Sequence, residues 1–264
     1  MIITRTAGHL RVVRQVAHQD QCGRLVAAWG NAAFARPDPW QPVVTAASCH
    51  DEGWRTPDEH PQVRADGRPR GFDAMEGEAH AAIHRASAHA AATRGDRVGL
   101  LVGMHGAGLM MRHLGLDGPV AAGAGCSSAA QGLLRSHAGV AHAQRTRIGE
   151  GAALAGWAWA AYRILQAVDL LSLYLTWTGL VAGESWMLRR VPRVTGDERG
   201  VGITVTPVDG LTCAVNPWPF ATGRVEAPVE VRMIADRPYP RGEDFGSALQ
   251  SARPEVLLMA VVAA

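Results

Sequence analysis

His50 and Asp51 stand side by side in Cys49-His50-Asp51-Glu52-Gly53-Trp54. One offers a neutral nitrogen and the next a hard anionic oxygen, a pairing suited to holding a divalent metal. On a helix, neighbours point about 100° apart, so both reach one centre only near the helix end. A capped helix end closed by Gly53 would explain the dipeptide equally well if it stood alone.

It does not stand alone. His18 lies on the first helical stretch, one turn after Gln15. His80 and His84 are spaced i,i+4 and share a helix face. His105 interrupts Leu100-Leu101-Val102-Gly103-Met104, and Asp169 interrupts Ala167-Val168-Asp169-Leu170-Leu171. An ionised carboxylate buried by itself is prohibitive, so Asp169 must be paired, protonated or metal-bound. Pairing with Arg163, on its side of the same helix with Gln166, is the plain alternative. A shared metal accounts for all these lone polar groups together. A mixed His/Asp set of more than four donors suits a catalytic site with open positions, or two ions, better than structural zinc.

The elements that must position these residues can be read from pattern. Ile2–Arg5 and Leu10–Val13 suggest a hairpin, and Gln15 to about Phe34 a helix. Pro42 suits the first turn of a short apolar helix over Val43–Asp51, which would carry His50-Asp51 at its end. Residues 54–75 read as loop, with helices over Glu76–Thr93, Asp96–His113, 128–147 and 153–178, and a Gly/Ala-rich stretch at 114–127. After Pro192, short β-branched runs around 203–206, 211–215, 229–234 and 256–262 read as strands, with a helix near Asp244–Ser251. The expected fold class is therefore mainly α (α+β). Residues 1–190 form a helical body with its N-terminal β-hairpin, and residues 191–264 a small antiparallel β-unit packed on it as one compact domain.

Composition narrows the function classes. The 264 residues suffice for a large core, and 47% hydrophobic with 19% charged residues is globular. A net charge of +2 argues for neither nucleic acid nor an anionic membrane as partner. All 26 cations are Arg, the mark of a GC-rich bacterial genome, which weakens any Arg cluster as a phosphate signal. The four Cys lack CxxC spacing and fit a reducing cytoplasm. No apolar h-region opens the chain, so a secretory signal is not expected. The apolar tract 151–183 is broken by Arg163 and Asp169 and reads as a buried helix rather than a membrane span.

The order His18 … His50-Asp51 … Asp169 resembles the HD-domain superfamily, helical metal-dependent phosphohydrolases defined by H…HD…D. More closely, the chain resembles an uncharacterised bacterial family of unknown function related to that superfamily. The stretches that carry this are Gln15-Val16-Ala17-His18, His50 to Trp54, Met104-His105-Gly106, Gln166 to Tyr174 and Pro217-Trp218-Pro219-Phe220. The resemblance implies an HD-like helical bundle with His18, His50, Asp51 and Asp169 as metal ligands. It also implies that His80 (or His84, or His89) and His105 complete a second metal position. Asp51 would then bridge two ions roughly 3.5–4 Å apart.

Asp51, Glu52 and Arg163 are the catalytic candidates, Glu52 either as general base or as support for a ligating His. Arg55, Arg64, Arg68 and Arg70 follow the His-Asp pair and could clamp an anion, though in an all-Arg protein a solvated loop is the simpler reading. The stiff Pro217–Phe220 segment is expected to pack the β-unit onto the helices. The expected protein is a cytoplasmic hydrolase of phosphohydrolase type. It would use one or two divalent ions, Fe, Mn, Zn, Ni or Mg, to activate water against a small anionic substrate. An HD-type di-iron oxygenase and a non-catalytic binding module are the competing readings.

Overall fold

The computed structural model describes residues 1–110, 152–177 and 179–264, with the isolated positions 132 and 135. The chain opens with the hairpin β1 (Ile2–Thr6) and β2 (His9–Val13). Helices follow: α1 (Gln15–Ala28), α2 (Gln41–Ala47), α3 (Arg55–Glu59), α4 (Gly77–Ala92), α5 (Asp96–Met110), α6 (Ala152–Thr176) and the single turn α7 (Gly179–Ala182). Strands β3 (Trp186–Val191), β4 (Val201–Pro207), β5 (Thr212–Asn216), β6 (Arg224–Ala235) and β7 (Pro254–Ala263) complete it, with α8 (Gly242–Ser251) between the last two.

All the strands among the described residues join one seven-stranded sheet in the order β1-β2-β6-β7-β5-β4-β3, curled into a half-barrel. Its pairs are antiparallel except β5 with β7, which run parallel. This corrects the expected HD-like helical bundle with a small C-terminal antiparallel unit. The sheet is large and mixed, and both ends of the chain build it. The physical cause is the second strand, whose Leu10 and Val12 are buried and pair with Ile234 and Arg232 at the far end of the sequence. Strand β3 falls in the segment expected to be helical body. Its register shifts between Leu188 and Val191, and Arg190 has φ 56°, so the alternation that signals a strand is broken.

Helix ends also differ from the pattern reading. The first helix stops at Ala28 rather than Phe34, because Trp29 bridges Phe220 and the Gly30 N–H donates to Pro219 O. The Pro217–Phe220 segment thus docks the sheet on α1, with Trp29 and Phe220 rings 5.7 Å apart edge to face. The second helix stops at Ala47, short of His50-Asp51. The carbonyl of Ala47 accepts from the His50 ring at 2.9 Å, and the Asp51 N–H donates to Gln19 Oε1 at 2.9 Å. The two groups that would have made the next helical bond are both spent elsewhere. The His-Asp pair therefore sits in a turn, freed from helical geometry.

The main core lies between the helices and one face of the sheet, where Val225, Ala227, Val229 and Val231 of β6 alternate inward. A smaller cluster of Leu10, Ile234, Tyr239, Phe245 and Leu249 forms under α8. Two glycines set close helix approaches. A Cβ at Gly53 would lie 2.0 Å from Ile83 O, and one at Gly106 would lie 2.9 Å from the His84 Cβ. Gly53 is therefore not a helix stop, as its sequence context suggests, but a contact point for α4. The stretch 114–127 and, apart from positions 132 and 135, the helix expected at 128–147 lie outside the described residues.

Candidate metal centre

Three segments meet around Asp169. From α1 come His18 and, one turn later on the same face, Cys22. The turn after α2 brings His50 and Asp51, and α6 brings Asp169 and Ser172. His18 Nε2 lies 2.8 Å from Asp169 Oδ1, and His50 Nε2 lies 3.5 Å from the same oxygen and 3.6 Å from Asp51 Oδ2. His105, from α5, places Nε2 3.9 Å from Asp169 Oδ2. All these side chains are buried. Donor atoms of His18, Cys22, His50 and Asp169 lie within 4.8 Å of one another, a buried His/Cys/His/Asp cluster able to bind a metal.

Hydrogen bonds decide which ring nitrogens face the centre. The Ala47 carbonyl can only accept, so His50 Nδ1 carries a proton and it is Nε2 that faces the centre. Ser172 Oγ donates to Gln21 Oε1 at 2.6 Å, while Gln21 Nε2 donates to Ala227 O at 2.6 Å on β6. The hydroxyl proton is spent, so His18 Nδ1 donates to Ser172 Oγ at 2.7 Å and its Nε2 faces Asp169. A nitrogen lone pair and a carboxylate oxygen 2.8 Å apart require a proton or a cation between them. His50 Nε2 is completely buried without a hydrogen-bond partner. Imidazoles oriented through Nδ1 and left open at Nε2 are what metal ligation demands, so the donor set fits an ion.

Electrostatics without an ion show the strain that a cation would relieve. Burial works against charge on His50, but Asp51 and Asp169 outweigh it and push its pKa up to about 9. Burial opposes the charge on Asp169 too, yet the close imidazoles of His18 and His50 hold its carboxyl well below the usual range. Asp51 is raised by burial, against the pull of His50 and His18. Burial, together with Asp169, lifts the Cys22 thiol well above its ordinary value.

A second group of imidazoles leads away from the centre. His105 and His50 rings are 5.0 Å apart, His84 and His105 6.3 Å, and His80 and His84 4.7 Å. His84 is fully buried with Nε2 unpartnered, as is Nδ1 of His105. Burial presses His84 well below its ordinary pKa, and His80 and His105 to about 4. His80 is the outer member, beside Trp54 at 5.4 Å between ring centroids. His89 is exposed.

The remaining candidates also make contacts outside the centre. Glu52 accepts from Gln19 at 3.2 Å and pairs with Arg55 at 2.8 Å and Arg94 at 3.2 Å. Burial opposes its charge, but these partners hold its pKa below the ordinary value, which makes it a poor base. It steadies Gln19, which in turn holds the Asp51 backbone. Arg163 donates to Arg190 O at 3.0 Å and lies 4.6 Å from the Trp159 ring centroid, tying α6 to β3. In the loop, Arg68 pairs with Asp236 and Arg70 with Glu76, so these cations brace the fold.

Pattern reading missed Cys22, Ser172 and Gln21. Their spacings were visible: Cys22 is i+4 and Gln21 i+3 from His18, and Ser172 is i+3 from Asp169. It also missed Asp58, whose carboxylate accepts the Gln15 N–H at 2.7 Å and caps α1 from outside.

Comparison with curated proteins and with solved structures gives no match. A family model does match, over residues 1–236. The chain belongs to the family described as Protein of unknown function (DUF3891).

Proposed function

We propose that this protein is a metal-dependent hydrolase of phosphohydrolase type acting on a small anionic substrate. The observation that carries the reading is the buried meeting of His18, His50 and Asp169 from three separate segments, with both imidazoles anchored through Nδ1. His18, His50, Asp51 and Asp169 hold the ion, and His105, backed by His84 and His80, offers imidazoles toward a second. When bound, a divalent cation supplies Lewis acidity and brings the pKa of water toward about 7.

The chain's own residues do the rest. Asp51, with Oδ2 3.6 Å from His50 Nε2, is placed to accept a proton on that side of the centre. Arg163 lines a cavity beside Asp169, where its charge favours an anion. The order H…HD…D keeps HD-type hydrolases as the chemical model, although the fold is different. No helix among the described residues is long and apolar enough to cross a membrane. A cytoplasmic location agrees with the free, buried Cys22, Cys49 and Cys213.

The test is elemental analysis of untreated and manganese-loaded protein, together with phosphate release from p-nitrophenyl phosphate. Near-stoichiometric metal and metal-dependent release are expected. Loading below about a tenth of an equivalent would overturn the reading. O2 uptake with an iron absorption band, and no phosphate release, would assign the site to oxidation instead.

A further inference from the structure

Beside the metal centre lies a cavity of about 490 Å3, within the roughly 300–1,000 Å3 of small-molecule sites. Asp169 is part of its lining. Along α6 the lining changes character. Arg163 and Gln166 come before Asp169, and Leu170, Leu173 and then Trp177 come after it. At 1.5 Å per residue this face runs for roughly 20 Å, polar at one end and apolar at the other.

The opposite wall repeats the gradient. Strand β3 runs back along α6, with Trp186 packed at 5.3 Å on Tyr174 and the Arg190 carbonyl bound to Arg163. Arg189 therefore lies toward the polar end of the cavity and Trp186 toward the apolar end. Phe72 closes the apolar end, edge to face with Trp177 at 5.0 Å. Phe72, Trp177 and Trp186 are all only half-buried, although they are large apolar rings. Rings left open to a cavity provide flat faces for stacking at little entropic cost.

Resting on the hydrolase reading above, we infer that the substrate is an amphipathic organic phosphate. Its phosphoryl head sits between Asp169 and the Arg163–Arg189 end, and its planar apolar body lies against Phe72, Trp177 and Trp186. A bare phosphate or a sugar phosphate leaves the aromatic end unfilled and gains nothing from it.

The test compares the affinities of 1-naphthylphosphonate and methylphosphonate by calorimetry, with metal content measured on the same samples. The naphthyl probe is expected to bind at least about tenfold more tightly. Leu173→Trp, which fills the apolar end, should bring the ratio of the two affinities close to one. Trp186→Leu, which removes a stacking face and keeps an apolar side chain, should lower the ratio and covers the case in which the first variant does not fold. Equal affinities in the metal-loaded protein would overturn this inference and leave the metal centre standing. A preference shown by wild-type protein that takes up no metal would sustain the pocket and remove the hydrolase reading.

Discussion

The centre around Asp169 and the imidazole row on α4 and α5 are built from the same residue type and behave in opposite ways. At the centre, each imidazole spends Nδ1 on a fixed acceptor and turns Nε2 toward carboxylates. In the row, His84 and His105 each keep a buried nitrogen without a partner, and the nearest carboxylate is the one the centre already uses. The outcome is a His50 pushed up to about 9 and a His105 pushed down to about 4, with ring centroids 5.0 Å apart. Burial is common to both, so the neighbouring anion decides the sign. The centre favours a positive charge, whereas the row is a set of neutral donors.

Removing the anion should break this contrast most severely. Asp169→Ala takes away the group shared by His18, His50 and His105. It should abolish metal loading and destabilise the fold by about 3–5 kcal/mol, read by elemental analysis and thermal unfolding. Loading equal to wild type in this variant would sink the assignment.

The pH dependence of metal-free protein should separate the two regions next. His50 has a folded pKa above its unfolded 6.5, so its contribution is complete below pH 6.5 and is lost as pH rises through about 9. His80 and His105 have folded values depressed to about 4, so their contribution is complete above pH 6.5 and is lost as pH falls toward 4. Denaturant unfolding across pH should show both limbs. His50→Gln should flatten the alkaline limb, on the order of 3 kcal/mol, and His105→Phe should make the acid limb shallower. An alkaline limb unchanged by His50→Gln would remove the centre's claim to a held positive charge.

Ser172→Ala should have a milder effect and, set against a variant in the row, be the most discriminating. It removes the acceptor that orients His18 and should weaken metal binding about 10- to 100-fold. His84→Phe, in the row, should change that affinity by no more than about threefold, because the packed ring is kept and the centre's ligands are untouched. Competition with a chelator measures both. Equal losses in the two variants would mean that the row and the centre form one site.

Much of this was legible in residue order. His105 and Asp169 each interrupt an apolar helix, and a buried polar group must find a partner. The hairpin, the six longer helical segments among the described residues and four of the C-terminal strands follow from local period. Strand β3 was hidden by its irregular register, and the share of the fold taken by the sheet was hidden by distance, since β2 and β6 pair across almost the whole chain.

What the sequence determined alone is the inventory: which helices are buried, which polar groups they must bury, and where the turns fall. These depend on periodicity and on transfer costs that act within a few residues. What tertiary structure decided is partnership. It set His18 and His50 rather than Arg163 against Asp169, turned Ser172 and Gln21 into an orienting relay, and moved His50-Asp51 off its helix into a turn. Such pairings depend on how distant surfaces pack, which residue spacing along the chain does not encode.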